Sequence, residues 1–533
     1  MEKRHILKNK FYLYATEFFS GMSVMAVELG ASRLLAPYFS SSQIVWTIII
    51  GTIMIAMALG NIYGGRSADK NPNPDKLYVR IIIAAIWIAA IPVVGKYVIL
   101  LISGILVMTV NTNLLIWAAF FACMVIFVFP LFLLGTVTPS LVKYTVDSLE
   151  DNGKTVGNLG AFNTIGSIIG TFLPTFVTIP AVGTSITFLI FSGLLLLLGI
   201  IYFVSTKSHK KTVAVSAVLF IICSLLGHSG SFAFWKNDLT YEGESIYNYL
   251  QVSEDEDSVV LSTNVLFGVQ SILKKDATFT GMYYDYAMLA PVMAGIDEST
   301  KGNLLVLGMG TGTYASLCQN YYSGLEVTGV EIDEKITDLA KEYFELSDEV
   351  QVTTYDGRAY LQGIDEKYDV IMVDAYQDIT IPFQMSSVEF FTMVKEHLKA
   401  NGVMVVNMNM HSDAEGNIND YLADTISTVF GQAYTVDVPG TTNRQLFACV
   451  NEQQIENIND NIDKINESSL NELLNRAKDS LTAYEAGGYL LTDDKAPVEL
   501  LGMDVIDGLI SSEIQYYKDL FKKEGLKGLL DSL

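Results

Sequence analysis

Cysteine and histidine, which supply most protein ligands for transition metals, are scarce in this sequence. The 533 residues include four cysteines and five histidines. The cysteines lie far apart, and neither residue type shows the spacing of a zinc site or a disulfide framework. The sequence therefore predicts a protein without a bound metal.

Basic residues are also scarce beyond residue 228. The first 228 residues carry 15 Lys and Arg against 8 Asp and Glu, the rest carry 19 against 50, and the net charge is −24. An acidic domain repels phosphates, which argues against nucleic acid as a partner, whereas a small cationic amine is compatible with it. Solubility alone also explains such a surface. The break in composition near Gly227–Ser231 predicts a domain boundary.

Hydrophobic runs long enough to cross a bilayer, which takes roughly 20 residues, occupy the N-terminal part. The first lacks a small-residue cleavage site and is followed by others, which favours a membrane anchor over a cleaved signal. We therefore expect a multi-pass protein of the cell membrane, with the lipid bilayer as a partner. Seven such runs predict seven crossings. The third run contains Pro92, Gly95 and Lys96, which can interrupt a helix, and its division would give eight crossings. The runs are 12–36, 43–63, 78–108, 114–137, 158–182, 184–205 and 212–228.

Three ionisable residues, Glu17, Glu28 and Arg33, lie in or near the first run. Charged groups inside a membrane are costly and often functional. The alternative is a helix-end pair, because Glu28 and Arg33 are close in sequence and both can extend toward the interface.

A strand, a glycine-rich turn and a helix begin the C-terminal half. The apolar run Leu304–Leu307 leads into Gly308–Thr313, and a second strand, Glu326–Val330, ends at Glu331. Glycines let the backbone approach a ligand, and an acid at this spacing can accept hydrogen bonds from both hydroxyls of a ribose. The tight Gly-x-Gly-x-Gly pattern, without a P-loop lysine, favours an adenosyl sulfonium compound over a dinucleotide or a nucleoside triphosphate.

Two further acids follow predicted strands. Asp356 comes after the strand Gln351–Thr354, and Asp374 comes directly after the strand Tyr368–Val373. Because ligands of open parallel sheets bind beyond the carboxyl ends of the strands, these acids and Glu331 predict one site. Helix capping is an alternative role for acids in such loops. Further strands are predicted at 402–408, 435–438 and 445–450, and short β segments at 247–252, 258–261 and 269–273.

The order of these motifs resembles the spermidine synthase (polyamine aminopropyltransferase) family. The resemblance covers roughly residues 241–450 and rests on LLVLGMGTGT, VTGVEIDEKITDLAKEYFEL, VTTYDGRAYL, KYDVIMVDAYQDITIPFQMSSVEFF and LKANGVMVVNM. The stretches ELGASRLLAPYFS, ALGNIYGGRSAD and GAFNTIGSIIGTFLPTFVTIP are similar to the membrane region of fused members, itself similar to half of a major-facilitator transporter.

The resemblance implies aminopropyl transfer from decarboxylated S-adenosylmethionine to an amine, with release of methylthioadenosine and without a metal. Asp374 would be the base. The implied donor-binding residues are Gly308, Gly310, Thr311, Gly312, Glu331, Asp333, Asp356 and Gly357. The implied amine-site residues are Gln270, Tyr283, Tyr284, Asp285, Tyr376, Gln377 and Asp378.

Three positions depart from the family pattern. Thr311 stands where the family has an acid beside the aminopropyl tail, Gln377 replaces a second acid after the base, and Tyr284 replaces a histidine near the gate. These changes leave the donor and the acceptor open. We hypothesise that Asp285, or the acids Asp493, Asp494 and Glu499, compensate.

Two other functions remain open at this stage. One is a methyltransferase that uses intact S-adenosylmethionine on the same scaffold, which Thr311 and Gln377 favour. The other is a transporter or sensor whose soluble domain binds a nucleotide or polyamine without turnover. The basic loops, which follow the positive-inside rule, place the soluble domain outside if there are seven crossings, whereas a donor made in the cytoplasm favours the inside.

The predicted architecture has two parts. An all-α multi-pass membrane bundle (1–228) precedes a linker with a small β subdomain (229–300), an α/β Rossmann-like domain of the S-adenosylmethionine-dependent methyltransferase type (301–451) and a C-terminal helical extension (452–533). By analogy with the family, a homodimer is possible.

Overall fold

The computed structural model divides the chain into two compact units. The first comprises residues 1–235 and 242–249, and the second comprises 236–241 and 250–533. The structure describes residues 6, 9–40, 42–107, 109–110, 113–145, 152–228, 231–236, 239–265, 268–275, 277–376, 381–409, 412, 414–503, 505, 515, 519–520, 522–523 and 525.

The first unit is helical. Its helices are α1 (Lys10–Phe39), α2 (Gln43–Lys70), α3 (Pro74–Val107), α4 (Leu114–Ile126), α5 (Val128–Gly135), α6 (Val137–Thr145), α7 (Asn152–Leu173), α8 (Ile179–Thr206) and α9 (Lys210–Leu226), with a π-helical turn at Pro174–Thr178.

Proline and glycine explain where these helices break or continue. Helices α4 and α5 meet at Phe127, because Pro130 cannot bond to the turn before it and its ring crowds the carbonyl of Ile126. Gly183 leaves helical geometry at φ +78° and kinks α8 near its start. The long third run forms the single helix α3 although it contains Pro92, so it does not divide.

Five helical segments within the described residues are long and apolar enough to cross a membrane. They are Lys10–Phe39, Gln43–Lys70, Pro74–Val107, Val128–Thr145 and Gly153–Thr206. The last, of 54 residues, combines two predicted runs across the kink. The predicted number of seven crossings stays a prediction.

The second unit contains a mixed sheet of eight strands in the order β12-β10-β11-β9-β8-β5-β6-β7. The central strands β9, β8, β5, β6 and β7 are parallel, and β11, β10 and β12 add antiparallel pairs. The strands are β5 (Gly302–Leu307), β6 (Leu325–Glu331), β7 (Gln351–Thr354), β8 (Tyr368–Val373), β9 (Leu398–Met408), β10 (Ala433–Asp437), β11 (Arg444–Cys449) and β12 (Thr482–Ala483). This topology confirms the predicted α/β class.

Short helices connect and flank the strands. They are α10 (Tyr283–Ala287), α11 (Leu289–Met293), α12 (Thr313–Tyr321), α13 (Glu334–Tyr343), α14 (Gly357–Gln362), α15 (Val388–Glu396), α16 (Ile418–Phe430), α17 (Gln453–Glu456), α18 (Ile458–Ile462) and α19 (Ser468–Asp479). A second sheet has the order β1-β2-β3-β4, with β1 (Leu239–Glu244), β2 (Tyr249–Glu254), β3 (Ser258–Ser262) and β4 (Ser271–Lys274).

The central parallel strands form the core that fixes the site. The side chains of Leu304–Leu307 and Val370–Val373 are almost completely buried, as expected for strands covered on both faces. Leu307 pairs with Val373 and with Val330, so the ends of β5, β6 and β8 lie at one edge of the sheet. The loops that carry the predicted site residues begin there.

Candidate active site

Three glycines shape the loop between β5 and α12. Gly308, Gly310 and Gly312 have φ of +78°, +58° and +86°, which disfavour residues with a Cβ. At Gly308 a Cβ would lie 2.5 Å from the Cα of Ala375, so this loop packs directly against the loop after β8. The backbone N–H groups of the turn are thereby brought beside the acids at the strand ends.

Glu331, the last residue of β6, is bonded to the glycine turn. Its Oε2 accepts a hydrogen bond from the Gly310 N–H at 2.9 Å, and its Oε1 accepts one from the Asp333 N–H at 3.0 Å. Burial raises the pKa of Glu331 to about 7, although these two hydrogen bonds oppose the shift. Each carboxylate oxygen has a second lone pair, so both remain able to accept from ribose hydroxyls.

Asp374 follows β8 and is almost completely buried. Its Oδ2 accepts a hydrogen bond from the Tyr283 hydroxyl at 2.8 Å, and its Oδ1 accepts one from the Asn407 amide at 2.9 Å. Burial raises the pKa of Asp374 to about 7, the two hydrogen bonds lower it, and the charge of Glu331 raises it further. This carboxyl therefore titrates near neutral pH.

A buried amide network behind Asp374 fixes the orientation of Asn407. The Asn407 Oδ1 accepts hydrogen bonds from the side-chain amides of Asn443 and Gln445, both at 3.0 Å. Because its oxygen is committed to two donors, Asn407 must present its NH₂ group to Asp374. Sequence reasoning missed these residues. The one signal was a polar residue, Asn407, within the apolar run of β9.

Two tyrosines cover Asp374 from α10. The ring centroids of Tyr283 and Tyr284 lie 3.9 Å apart, and the Tyr284 hydroxyl donates to the main-chain carbonyl of Gln270 at 2.9 Å. The structure thus brings Tyr283, Tyr284 and the backbone of Gln270 to the site. Burial and the charge of Asp374 raise the pKa of both tyrosines, so both stay neutral hydroxyl donors.

Asp285 has a local role in this structure. Its two carboxylate oxygens accept hydrogen bonds from the N–H and hydroxyl of Thr280, at 3.0 and 2.7 Å, and from the N–H of Gly281 at 2.7 Å. These bonds hold the loop that precedes α10. One acceptor site of Oδ2 is left by these bonds, and the role of Asp285 in binding the amine stays a prediction.

Thr311 occupies the centre of the glycine turn. Its N–H donates to the Ser271 hydroxyl at 3.1 Å, whereas its own hydroxyl oxygen is buried and has no hydrogen-bond partner in the described structure. A pocket of about 100 Å³ adjoins it and is lined also by Thr280 and Thr313. A buried hydroxyl without a partner is destabilising, and a bound ligand can supply one.

Other predicted donor residues form helix caps. Asp333 caps α13 by accepting from the Lys335 N–H at 3.1 Å, and Asp356 caps α14 by accepting from the Ala359 N–H at 2.8 Å. Gly357 is the first residue of α14. The capping alternative therefore holds for one oxygen of each acid.

The remaining predicted residues bond to other partners or lie outside the described part of the chain. The Tyr376 hydroxyl donates to the Met385 carbonyl at 3.0 Å and is buried. Gln377 and Asp378 lie outside the described residues. Asp493 forms a bidentate ion pair with Arg358, which holds the pKa of Asp493 below its usual value.

The chain has relatives among known proteins. A family model described as a spermine/spermidine synthase domain matches residues 286–461. A protein of Bifidobacterium longum (strain NCC 2705), named a probable polyamine aminopropyl transferase, is 51% identical over 349 residues, which cover 62% of this chain and 77% of the relative. The chain belongs to the polyamine aminopropyltransferase family.

Two further proteins are less similar to this chain. The polyamine aminopropyltransferase of Vibrio vulnificus (strain CMCP6) is 28% identical over 227 residues, which cover 41% of this chain and 73% of that protein. A spermidine synthase structure from Thermotoga maritima has a TM-score of 0.35 at 20% identity, and covers 44% of this chain and 80% of that one. The family and the transferase class predicted from the sequence are confirmed.

Proposed function

We propose that this chain transfers a 3-aminopropyl group from decarboxylated S-adenosylmethionine to a small amine and releases methylthioadenosine. The observation that carries the proposal is the environment of Asp374. This buried carboxylate is held by Tyr283 and Asn407 beside a glycine turn and Glu331. Over 349 residues the chain is 51% identical to a relative named a probable polyamine aminopropyl transferase.

The donor would bind along the glycine turn. Glu331 would accept hydrogen bonds from the ribose hydroxyls, because it lies at the end of β6 where such ligands are held. Asp356 would accept from the adenine amino group through the oxygen that is not used for capping. Thr311 stands where the family pattern has an acid. Its hydroxyl would form a hydrogen bond with the tail of the donor.

Asp374 would accept the proton that the amine must lose. An alkyl ammonium has a pKa of about 10, like lysine, so at neutral pH the amine enters as a cation and is not a nucleophile. A base with a pKa of about 7 lies near the operating pH, where general-base catalysis is most efficient. The negative charge of Asp374 would also attract the cation.

The reaction then balances without a further reactant. The lone pair of the amine nitrogen attacks the propyl carbon next to the sulfonium, a C–N bond forms, and the C–S bond breaks with its electron pair going to sulfur. The leaving group is a neutral thioether, and the proton resides on Asp374. That no metal takes part in the reaction stays a prediction.

The helical unit would anchor the enzyme in a cell membrane. Five apolar segments of sufficient length support this location, and the exposed apolar side chains of α2, α7 and α9 are those that a bilayer would cover. Formation of a homodimer stays a prediction, and the side of the membrane on which the second unit lies stays open.

A product assay tests the proposed reaction. Purified full-length protein is incubated with either the decarboxylated or the intact donor and a panel of diamines and triamines, and the nucleoside product is identified by mass. We expect amine-dependent formation of methylthioadenosine from the decarboxylated donor. S-adenosylhomocysteine would instead support the methyltransferase alternative, and binding without any product would support the sensor alternative.

A further inference from the structure

A second buried carboxylate lies in the helical unit, on α1. Glu17 is fully buried within a helix that is long and apolar enough to span a membrane. Its Oε1 accepts hydrogen bonds from the Thr138 hydroxyl of α6 and from the Asn163 amide of α7, the latter at 2.9 Å. Its Oε2 is buried without a hydrogen-bond partner in the described residues, and the same holds for the hydroxyl of Ser20, one turn later on α1.

Small residues hold the helices around Glu17 at a fixed, short distance. A Cβ at Gly166 or Gly170 of α7 would overlap the carbonyl oxygens of Phe18 or Met22 on α1. At Gly21 of α1, a Cβ would lie 2.6 Å from the carbonyl oxygen of Asn163. Contacts of backbone against backbone leave little freedom for the helices to move apart. The packing of the helices therefore holds the two donors to Oε1 in place.

No positively charged side chain in the described part of the chain forms an ion pair with Glu17; its hydrogen-bond donors are Thr138 and Asn163. Among the described residues, the titratable and charged groups on the helices packed against α1 are Tyr63, Arg66, Asp69 and Lys70 of α2, Asp75, Lys76, Tyr78, Arg80, Lys96 and Tyr97 of α3, Cys123 of α4, Lys143 and Tyr144 of α6, Lys154 of α7 and Tyr202 of α8. None of them bonds to Glu17. Lys143 pairs with Asp69 at 2.9 Å, and the Tyr78 hydroxyl lies 3.2 Å from that of Thr16.

An ionised carboxylate with only two neutral donors is costly to keep out of water. A proton or metal cation bound at Oε2 would offset that cost. The hydroxyl of Ser20, with free lone pairs, is a second oxygen that such a charge can use.

We propose that Glu17 and Ser20 form a monovalent-cation site inside the helical unit, in which Oε2 binds a proton or Na⁺. The site is independent of the proposed aminopropyl transfer, because all of its residues belong to the first unit. Binding is reversible protonation or coordination, and no covalent step is involved. A site of this kind would give the membrane helices a dependence on pH or Na⁺ that the catalytic unit does not require.

Carbodiimide labelling tests the site in the full-length protein. Dicyclohexylcarbodiimide reacts with protonated carboxyl groups in apolar surroundings, and the modified residue is located by mass spectrometry after proteolysis. We expect an adduct at Glu17 that falls by about tenfold per pH unit above the midpoint of its titration. Glu17→Gln, which mimics the protonated group, should lose this adduct, whereas Glu28→Gln on the same helix should keep it.

Labelling and Tm measured in two salts distinguish Na⁺ from a proton, and the wild-type protein serves if the variant does not fold. If Na⁺ binds, NaCl should reduce the labelling and raise the Tm, whereas choline chloride at equal ionic strength should not. If only a proton binds, NaCl and choline chloride should act alike. The difference in Tm between wild type and Glu17→Gln should grow with pH when no Na⁺ is present. If that variant does not fold, the labelling of wild type decides. Absence of an adduct at Glu17 at every pH from 5.5 to 9, both with and without Na⁺, would overturn the proposal.

Discussion

Replacement of Asp374 by asparagine should stabilise the protein at pH 8 and reduce its activity by roughly 10²- to 10⁴-fold. The structure accommodates an amide at this position without an unpaired group. Asn407 can only donate, so the new Oδ1 would face Asn407, and the new NH₂ would face the Tyr283 hydroxyl, which can accept instead of donating. The substitution therefore removes a buried charge and keeps the hydrogen bonds.

The expected gain follows from the pKa of Asp374. Its value is raised from 3.8 to about 7, about 3 pKa units at about 1.36 kcal/mol each, or about 4 kcal/mol as an upper bound. Because the folded protein holds this proton more tightly than the unfolded chain, the penalty is absent below about pH 4, grows up to about pH 7 and is complete above it. The stability difference between Asp374→Asn and wild type should show the same dependence on pH.

Hydrogen exchange of the amides in β8 and β9, compared between variant and wild type at equal pH, measures this difference locally. We expect exchange to slow by up to about 1000-fold at pH 8 and by much less at pH 4.5, while kcat falls by roughly 10²- to 10⁴-fold. Glu326→Gln, an exposed acid on β6, is the matched control and should change neither quantity. A variant that is no more stable than wild type at pH 8 would refute the reasoning.

Three further substitutions test separate parts of the site. Glu331→Gln should weaken the binding of methylthioadenosine by roughly 10- to 100-fold in calorimetry, since hydrogen bonds to a charged acceptor contribute about 1.5–3 kcal/mol; unchanged affinity would remove this residue from the ribose site. Gly308→Ala should destabilise the second unit by at least about 1–3 kcal/mol in calorimetric unfolding, because φ is +78° and the Cβ would meet the backbone of Ala375. Asn407→Leu should shift the rise of kcat with pH to higher pH, since it removes a hydrogen bond that lowers the pKa of Asp374; an unshifted profile would reduce Asn407 to a purely structural residue.

The strand ends of the site were predictable from the sequence. The apolar run Leu304–Leu307, the glycine spacing after it and the acid at Glu331 are local signals, and they fix a strand, a turn and the start of the next loop. Parallel strands then bring their carboxyl ends to one edge, so Asp374 could be placed near Glu331 without knowledge of the tertiary structure.

The support of Asp374 was not predictable, because it depends on strand register. Gln445 of β11 lies opposite Asn407 of β9, and that pairing cannot be read from either segment alone. The antiparallel strand β12 was missed within the predicted helical extension for the same reason, since it consists of two residues that pair with β10. Aspartate can either bind a ligand or cap a helix or loop, and the sequence around Asp285 and Asp356 does not distinguish these roles.

The most direct measurement is a competition between the two donors on one enzyme sample. Full-length protein receives equal amounts of intact and decarboxylated S-adenosylmethionine with a single amine, and the released nucleosides are quantified over one turnover. We expect methylthioadenosine in an amount equal to the newly aminopropylated amine, and roughly 100-fold less or lower in the same time with Asp374→Asn. Release of S-adenosylhomocysteine with a methylated amine would contradict this expectation.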